Sequence, residues 1–144
     1  MVKFDERAIL DNGAYIYAMR QEIEAIADAV CEKGFDNILF TASGGSLAMM
    51  QPFDYMISVM SGLDVRSQVS AELLGIGNNR LTDRTLVFMA SKSGDTKETV
   101  EAAGYVKEKG AAIISVLGVE GSPLGGLSDY TVVYKDGRPQ EFVL

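Results

Sequence analysis

Thr85-Leu-Val-Phe-Met-Ala-Ser-Lys-Ser-Gly-Asp-Thr96 joins two kinds of sequence. Its first six residues, Thr85 to Ala90, are an apolar run with the character of a buried strand. Lys97 to Lys109, just beyond it, reads as a helix. Between them, Ser91-Lys-Ser-Gly-Asp-Thr96 is a hydroxyl-rich turn from the carboxyl end of a strand to the amino end of a helix. In an α/β fold that position binds anions. The first-turn N–H groups have no partner inside the helix, and the macrodipole adds partial positive charge. Gly94 admits an unusual backbone conformation or the close approach of a ligand. Ser91, Ser93 and Thr96 each offer a hydroxyl to a phosphate oxygen. Asp95-x-x-Glu98 and Ser93-x-x-Thr96 also fit ordinary helix N-caps. Capping alone explains one Ser or Asp; it does not explain three hydroxyls and a glycine within six residues.

A second unit of the same kind lies upstream. Asn37-Ile-Leu-Phe-Thr-Ala42 is a short apolar strand, followed by Ser43-Gly-Gly-Ser46 and a helix from about Leu47 to Gly62. Two such turns in one parallel sheet face each other at its carboxyl edge, where ligands bind in open α/β folds. Gly44 and Gly45 allow close backbone approach. Ser46, near the helix start, is the better ligand donor, and Ser43 fits a cap. Met49, Met50, Phe53, Met56, Ile57 and Met60 read as core or interface packing.

The rest of the chain fills in a repeating strand–helix order. Asp5 to Glu32 reads as one long helix whose Ile9, Ile16, Met19, Ile23, Ile26 and Val30 form an apolar stripe for packing on the domain or on a second subunit. Gly34 is its stop. Asp64 to Gln68 is a short strand near an edge, Ser70 to Leu74 opens a short helix, and Gly75-Ile-Gly-Asn-Asn79 reads as loop. Gly75-x-Gly77 lacks the third glycine and the strand–turn–helix setting of a dinucleotide site. Glu72 reads as a solvated helix residue, with a carboxylate near the pocket as the alternative. Ala111 to Leu117 is a strand buried on both faces. Ser122-Pro-Leu124 opens a short helix, and Tyr130 to Tyr134 is the last strand, with a turn at Lys135 to Pro139 and an apolar ending at Glu141 to Leu144. Alternating strands and helices predict a three-layer α-β-α sandwich. Its doubly wound, five-stranded parallel sheet has the flavodoxin-like order 2-1-3-4-5, which sets the two turns side by side at the topological switch point.

Composition bounds the function. The 144 residues suit one domain with a real core, 47% of them being hydrophobic. No apolar run reaches the roughly 18 residues of a membrane span. The start has no signal-peptide pattern, so a soluble cytoplasmic protein is expected. Thirteen basic against twenty acidic residues, net −7, with no basic cluster, argue against nucleic acid as a partner. Cys31 is the only cysteine, which leaves no internal disulfide and no cysteine zinc cluster; it reads as a small core residue of its helix. With no histidine in the chain, His-based triads and His metal sites are excluded, and any general acid or base must be a carboxylate, Lys or Tyr.

The strand ending in Ser43-Gly-Gly-Ser46 and the later strand ending in Ser91-Lys-Ser-Gly-Asp-Thr96 together resemble the SIS (sugar isomerase) family, whose second motif, S-x-S-G-x-T, is fully matched. Ser70-Ala-Glu-Leu73 and Ser122-Pro-Leu124 also fit, and the resemblance covers nearly the whole chain. Phe40 to Ser46 and Val87 to Gly94 are most similar to the two-domain deglycases of fructoselysine and glucoselysine 6-phosphate. The resemblance implies that Ser46, Ser91, Ser93 and Thr96 hold a sugar phosphate, with Lys92 and Gly94 giving backbone N–H groups. It also implies ring opening and proton abstraction beside a carbonyl, through an enediol or enamine, with no metal or cofactor. In a deglycase, hydrolysis to an amino acid and a hexose 6-phosphate follows. Two-domain relatives take their catalytic glutamate and histidine from the second domain or a neighbouring subunit. The chain is therefore expected to be the amino-terminal domain of a longer protein that pairs with a second SIS domain or forms a homo-oligomer. Glu72 is a fallback catalytic base, and binding without efficient turnover is expected of the chain by itself. The competing expectation is a sugar-phosphate-sensing module of the kind found in transcription regulators.

Overall fold

A computed structural model of the chain describes residues 6–134. The expected turn at 135–139 and the apolar ending at 141–144 lie outside the described residues. Helices α1 (Glu6–Ala18) and α2 (Arg20–Lys33) lead into β1 (Asn37–Ala42), α3 (Gly45–Met60), β2 (Asp64–Val69) and α4 (Ser70–Ile76). Then come β3 (Thr85–Ser91), α5 (Lys97–Glu108), β4 (Ala112–Leu117), α6 (Pro123–Leu127) and β5 (Tyr130–Val133). Among the described residues the strands form one sheet in the order β2-β1-β3-β4-β5, and every adjacent pair is parallel. This is the doubly wound order expected from the alternation of strands and helices.

The two-residue side-chain period of the strands separates two cores. Ile38, Phe40 and Ala42 of β1, Leu86 and Ala90 of β3 and Ile114 of β4 pack with Val30 of α2 and Leu47 and Met50 of α3. Leu39, Val87, Met89, Ile113 and Leu117 face the opposite layer, against Leu73 of α4, Ala102, Ala103 and Val106 of α5, and Leu124 of α6. Small residues at 102 and 103 let α5 lie close on the sheet. Among the described residues no helix is long and apolar enough to cross a membrane.

Three expectations are corrected. The long amino-terminal helix is two helices, divided at Met19, whose N–H closes onto the Ile16 carbonyl three residues back (3.1 Å) rather than four. Of the apolar stripe, Met19 and Val30 are buried within this chain, while Ile16 and Ile23 are exposed on it. Cys31 is likewise exposed, because it follows the buried Val30 by one position and so turns about 100° away from the sheet. Finally, Gly75 and Ile76 belong to α4 rather than to a loop. The helix stops at Gly77, which takes φ +70° and donates its N–H to the Leu73 carbonyl at 3.0 Å.

Candidate functional site

Register determines where the two glycine-containing turns begin. Ala42, the last residue of β1, is paired with Ala90 near the end of β3. The turns after these strands therefore leave the carboxyl edge nearly level, about 5 Å apart across the sheet. Each opens a helix. Gly44 is the N-cap of α3, with φ 56° and ψ −131°, a conformation open to glycine and strained for other residues. No side chain caps α3. Ser43, expected as a cap, instead places its hydroxyl 3.3 Å from that of Thr99 in the first turn of α5. A methyl group built on Gly44 or Gly45 would meet nothing within 4 Å. The backbone at the start of α3 is therefore open to close approach, and Ser46 lies half-buried in that first turn.

The 91–96 turn is held from within and from behind. The buried Ser91 hydroxyl accepts the Gly94 N–H at 3.0 Å and lies 3.1 Å from the Thr96 hydroxyl. The Gly94 N–H, expected as a ligand donor, is thus used inside the turn. Gly94 takes φ +70°, and a Cβ there would overlap the Ser122 side chain, so its lack of a side chain serves conformation and packing rather than open approach. The loop after β4 braces the turn: Gly118 donates to the Lys92 carbonyl at 3.0 Å, and Leu124 donates to the Gly94 carbonyl at 2.9 Å. Ser93 remains exposed and Thr96 half-buried. Thr96 is the N-cap residue of α5, yet its side chain makes no capping bond. Capping therefore does not account for the hydroxyls of this turn. The first-turn donors of both α3 and α5 lack side-chain caps, which is the arrangement that favours an anion.

Glu72 stands exposed on α4, in a groove of about 380 Å³ beside the edge strand β2 that Arg66, Gln68 and Arg80 also line. That position fits the solvated reading of Glu72. Among the described residues no group of three or more metal-binding side chains is arranged to hold an ion.

Sequence reasoning missed three polar residues behind the site. Thr99 is buried and joins the two turns; its spacing of three from Thr96 on one helix was the available signal. Ser70, fully buried at the start of α4, lies 3.3 Å from the Thr41 hydroxyl of β1 and fixes α4 against the sheet. Ser122 backs Gly94, and its buried hydroxyl has no hydrogen-bond partner.

The comparisons agree with this geometry. Residues 34–141 match the SIS domain. The chain is 32% identical over 120 residues to fructosamine deglycase FrlB of Bacillus subtilis, covering 83% of this chain and 37% of that protein. It is 33% identical over 133 residues to a glutamine–fructose-6-phosphate aminotransferase (isomerizing) of Methanococcus maripaludis, covering 92% of this chain and 21% of that one. A crystal structure from Salmonella typhimurium LT2, provisionally described as a phosphosugar isomerase, superposes with a TM-score of 0.73 at 33% identity, over 83% of this chain and 36% of that chain. The chain thus spans well under half the length of each of these relatives. With the match extending over most of its residues and the sheet order and paired turns in place, the chain belongs to the SIS domain family.

Proposed function

We propose that this domain binds a phosphorylated sugar at the carboxyl edge of β1 and β3. The observation that carries the reading is the pairing of two helix amino termini, α3 and α5. Neither has a side-chain cap, and the Ser43–Thr99 contact fastens them together. A phosphate dianion between them meets first-turn N–H groups and the hydroxyls of Ser46, Ser93 and Thr96. Ser91 and Gly94 hold the turn in shape, and the Lys92 backbone lies along it. Open space over Gly44 and Gly45 leaves room for the phosphate to approach the backbone.

The parent protein, on this reading, is a phosphosugar isomerase or deglycase acting on a 6-phosphorylated ketosamine or aldosamine. The similarity to a fructosamine deglycase supports the nitrogen-bearing substrate, and the similarity to a fructose-6-phosphate aminotransferase supports a hexose 6-phosphate. Chemically, the carbon beside the carbonyl or imine loses a proton to give an enediol or enamine. In a deglycase, water then cleaves the carbon–nitrogen bond, releasing the amine and the hexose 6-phosphate. The acid and base for these steps come from a second domain or subunit: this chain has no histidine, and Glu72 stands in the β2-edge groove. A binding-only reading, a sugar-phosphate-sensing module, is favoured by the same observation that the site's own polar groups are hydroxyls and N–H donors.

Calorimetric titration with glucose 6-phosphate and fructose 6-phosphate tests the proposal, beside Ser93→Ala and Thr96→Ala. Binding that both variants weaken supports it. A folded chain that binds neither ligand removes the proposed cradle from this domain acting alone. Turnover of a 6-phosphorylated ketosamine by the parent protein favours the enzyme over the sensor.

A further inference from the structure

The phosphate cradle accounts for one end of a 6-phosphorylated ketosamine and leaves the amine part unassigned. The groove of about 380 Å³ along the edge strand β2 lies one strand away from it. Ala42, where the Ser43–Ser46 turn leaves the sheet, is paired with Val69 at the carboxyl end of β2. Every described residue lining the groove is polar, which suits a polar ligand rather than an apolar one. Both signs of charge are present: the carboxylate of Glu72 and the guanidinium groups of Arg66 and Arg80. Asp64 bridges the two arginines, meeting Nε of Arg66 at 3.4 Å and Nη1 of Arg80. One anion between them offsets their repulsion. Each guanidinium has five N–H donors, so the pair still presents donors to a second carboxylate.

The segment that carries Arg80 is held by side chains from three strands. Asn78 Nδ2 donates to Gln68 Oε1 of β2 at 2.9 Å, and Asn78 Oδ1 accepts the Arg80 N–H at 2.9 Å. The Arg80 carbonyl accepts from Asn37 of β1 at 2.9 Å and from the Thr85 hydroxyl of β3 at 3.1 Å. The side chains of Arg66 and Arg80 are nevertheless exposed by half or more. A fixed backbone beneath an exposed cationic side chain is what a binding residue needs.

We infer that this groove holds the head group of an amino acid, the amine part of the substrate. Its α-carboxylate lies on Arg66 and Arg80 and its α-ammonium on Glu72. Opposite charges in one polar groove match a zwitterion better than a simple anion or cation. Arg66 comes three positions before Val69, about 10 Å down the strand from the carboxyl edge. That separation selects how the amino acid is joined to the sugar. Joined through its α-nitrogen, the carboxylate stays beside the sugar, short of the arginines. Joined through a side-chain amine, an alkyl stem spans the gap. The inference rests on the ketosamine reading for the sugar and adds the recognition of its amine part.

Nuclear magnetic resonance titration of the wild-type chain with L-lysine, cadaverine and 6-aminohexanoate tests this, beside Arg66→Met and Arg80→Met. L-Lysine should shift the amide signals of residues 66–68, 72 and 78–80. Cadaverine lacks the carboxylate and 6-aminohexanoate lacks the α-ammonium; each should bind about tenfold more weakly or worse. Both variants should weaken L-lysine by a similar factor and keep the circular dichroism of the wild type. L-Lysine that shifts nothing in the groove overturns the inference, as does cadaverine that binds as well as L-lysine. Variants that bind L-lysine like the wild type also overturn it. Should the variants fail to fold, the three ligands on the wild-type chain decide the matter. Glucose 6-phosphate titrated into the wild-type chain reads the cradle separately. Binding of glucose 6-phosphate without L-lysine removes the groove and keeps the cradle; the reverse supports the groove and removes the cradle.

Discussion

The hydroxyls of Ser43 and Thr99 lie 3.3 Å apart and join the loop that opens α3 to the first turn of α5. Thr99 is buried, so removing Ser43 leaves a hydroxyl without its partner inside the protein. A bond of this kind contributes about 1 kcal/mol net, and an orphaned buried group costs somewhat more. Ser43→Ala and Thr99→Val should each lower the unfolding free energy by about 1 kcal/mol, and the double variant should lose less than the sum. Urea unfolding measures this. Strict additivity would mean that the contact does not couple the two turns.

Glycines at the two turns serve different ends and should respond differently to a methyl group. Gly94→Ala forces φ +70° on a residue with a Cβ and drives that Cβ into Ser122. A loss of about 2–3 kcal/mol is expected, read as a lower thermal midpoint. Gly45→Ala meets no neighbour within 4 Å and sits at a helix start. Its stability should be unchanged or higher by about 0.5–1 kcal/mol. If phosphate approaches this backbone, however, Gly45→Ala should weaken glucose 6-phosphate binding about tenfold. A Gly94→Ala protein that melts like the wild type would contradict the packing described for the turn.

Cys31 should react with a disulfide reagent in the folded protein, since the structure leaves it exposed on α2. One thiol per chain is expected to titrate without denaturant, at a rate close to that of a small-molecule thiol. If reaction required unfolding, the residue would be covered in solution, as the apolar pattern of its helix suggested.

Sheet order and both turns were legible because they rest on local signals. Apolar runs at 37–42, 85–90 and 111–117, each stopped by Gly or Ser, imply strands whatever their partners. Parallel connection then permits few orders. What was not legible depended on long-range packing. The exposure of Cys31 follows from how α2 is rotated on the sheet, and a helical pattern with both apolar and polar flanks does not specify that rotation. The roles of Thr99 and Ser122 depend on contacts across 56 and 28 positions of sequence (Ser43 to Thr99, Gly94 to Ser122). No local period encodes such contacts. The apolar residues of α3 read equally as core or interface, and the structure buries Met50 while it leaves Met49, Phe53, Met56 and Met60 exposed; an apolar residue looks the same in sequence on either side of its helix.

Ser91 and Ser93 are two residues apart, yet they should separate structure from binding. Ser91 is 4% exposed, and its hydroxyl accepts the buried Gly94 N–H. Ser91→Ala leaves that N–H without an acceptor, at a cost of about 1–3 kcal/mol. Its melting temperature should fall, and its sugar-phosphate affinity should fall with it, because the turn loses its internal brace. Ser93 is exposed, and replacing it should alter stability by no more than about 0.5 kcal/mol. A hydrogen bond from Ser93 to a phosphate dianion is charge-assisted, about 1.5–3 kcal/mol, so Ser93→Ala should bind glucose 6-phosphate roughly ten- to a hundredfold more weakly. Thermal unfolding and calorimetry on the same two proteins give all four values. If Ser93→Ala bound as tightly as the wild type, the exposed hydroxyl would have no part in the phosphate cradle, and the ligand would have to be held by the helix N–H groups with Ser46 and Thr96.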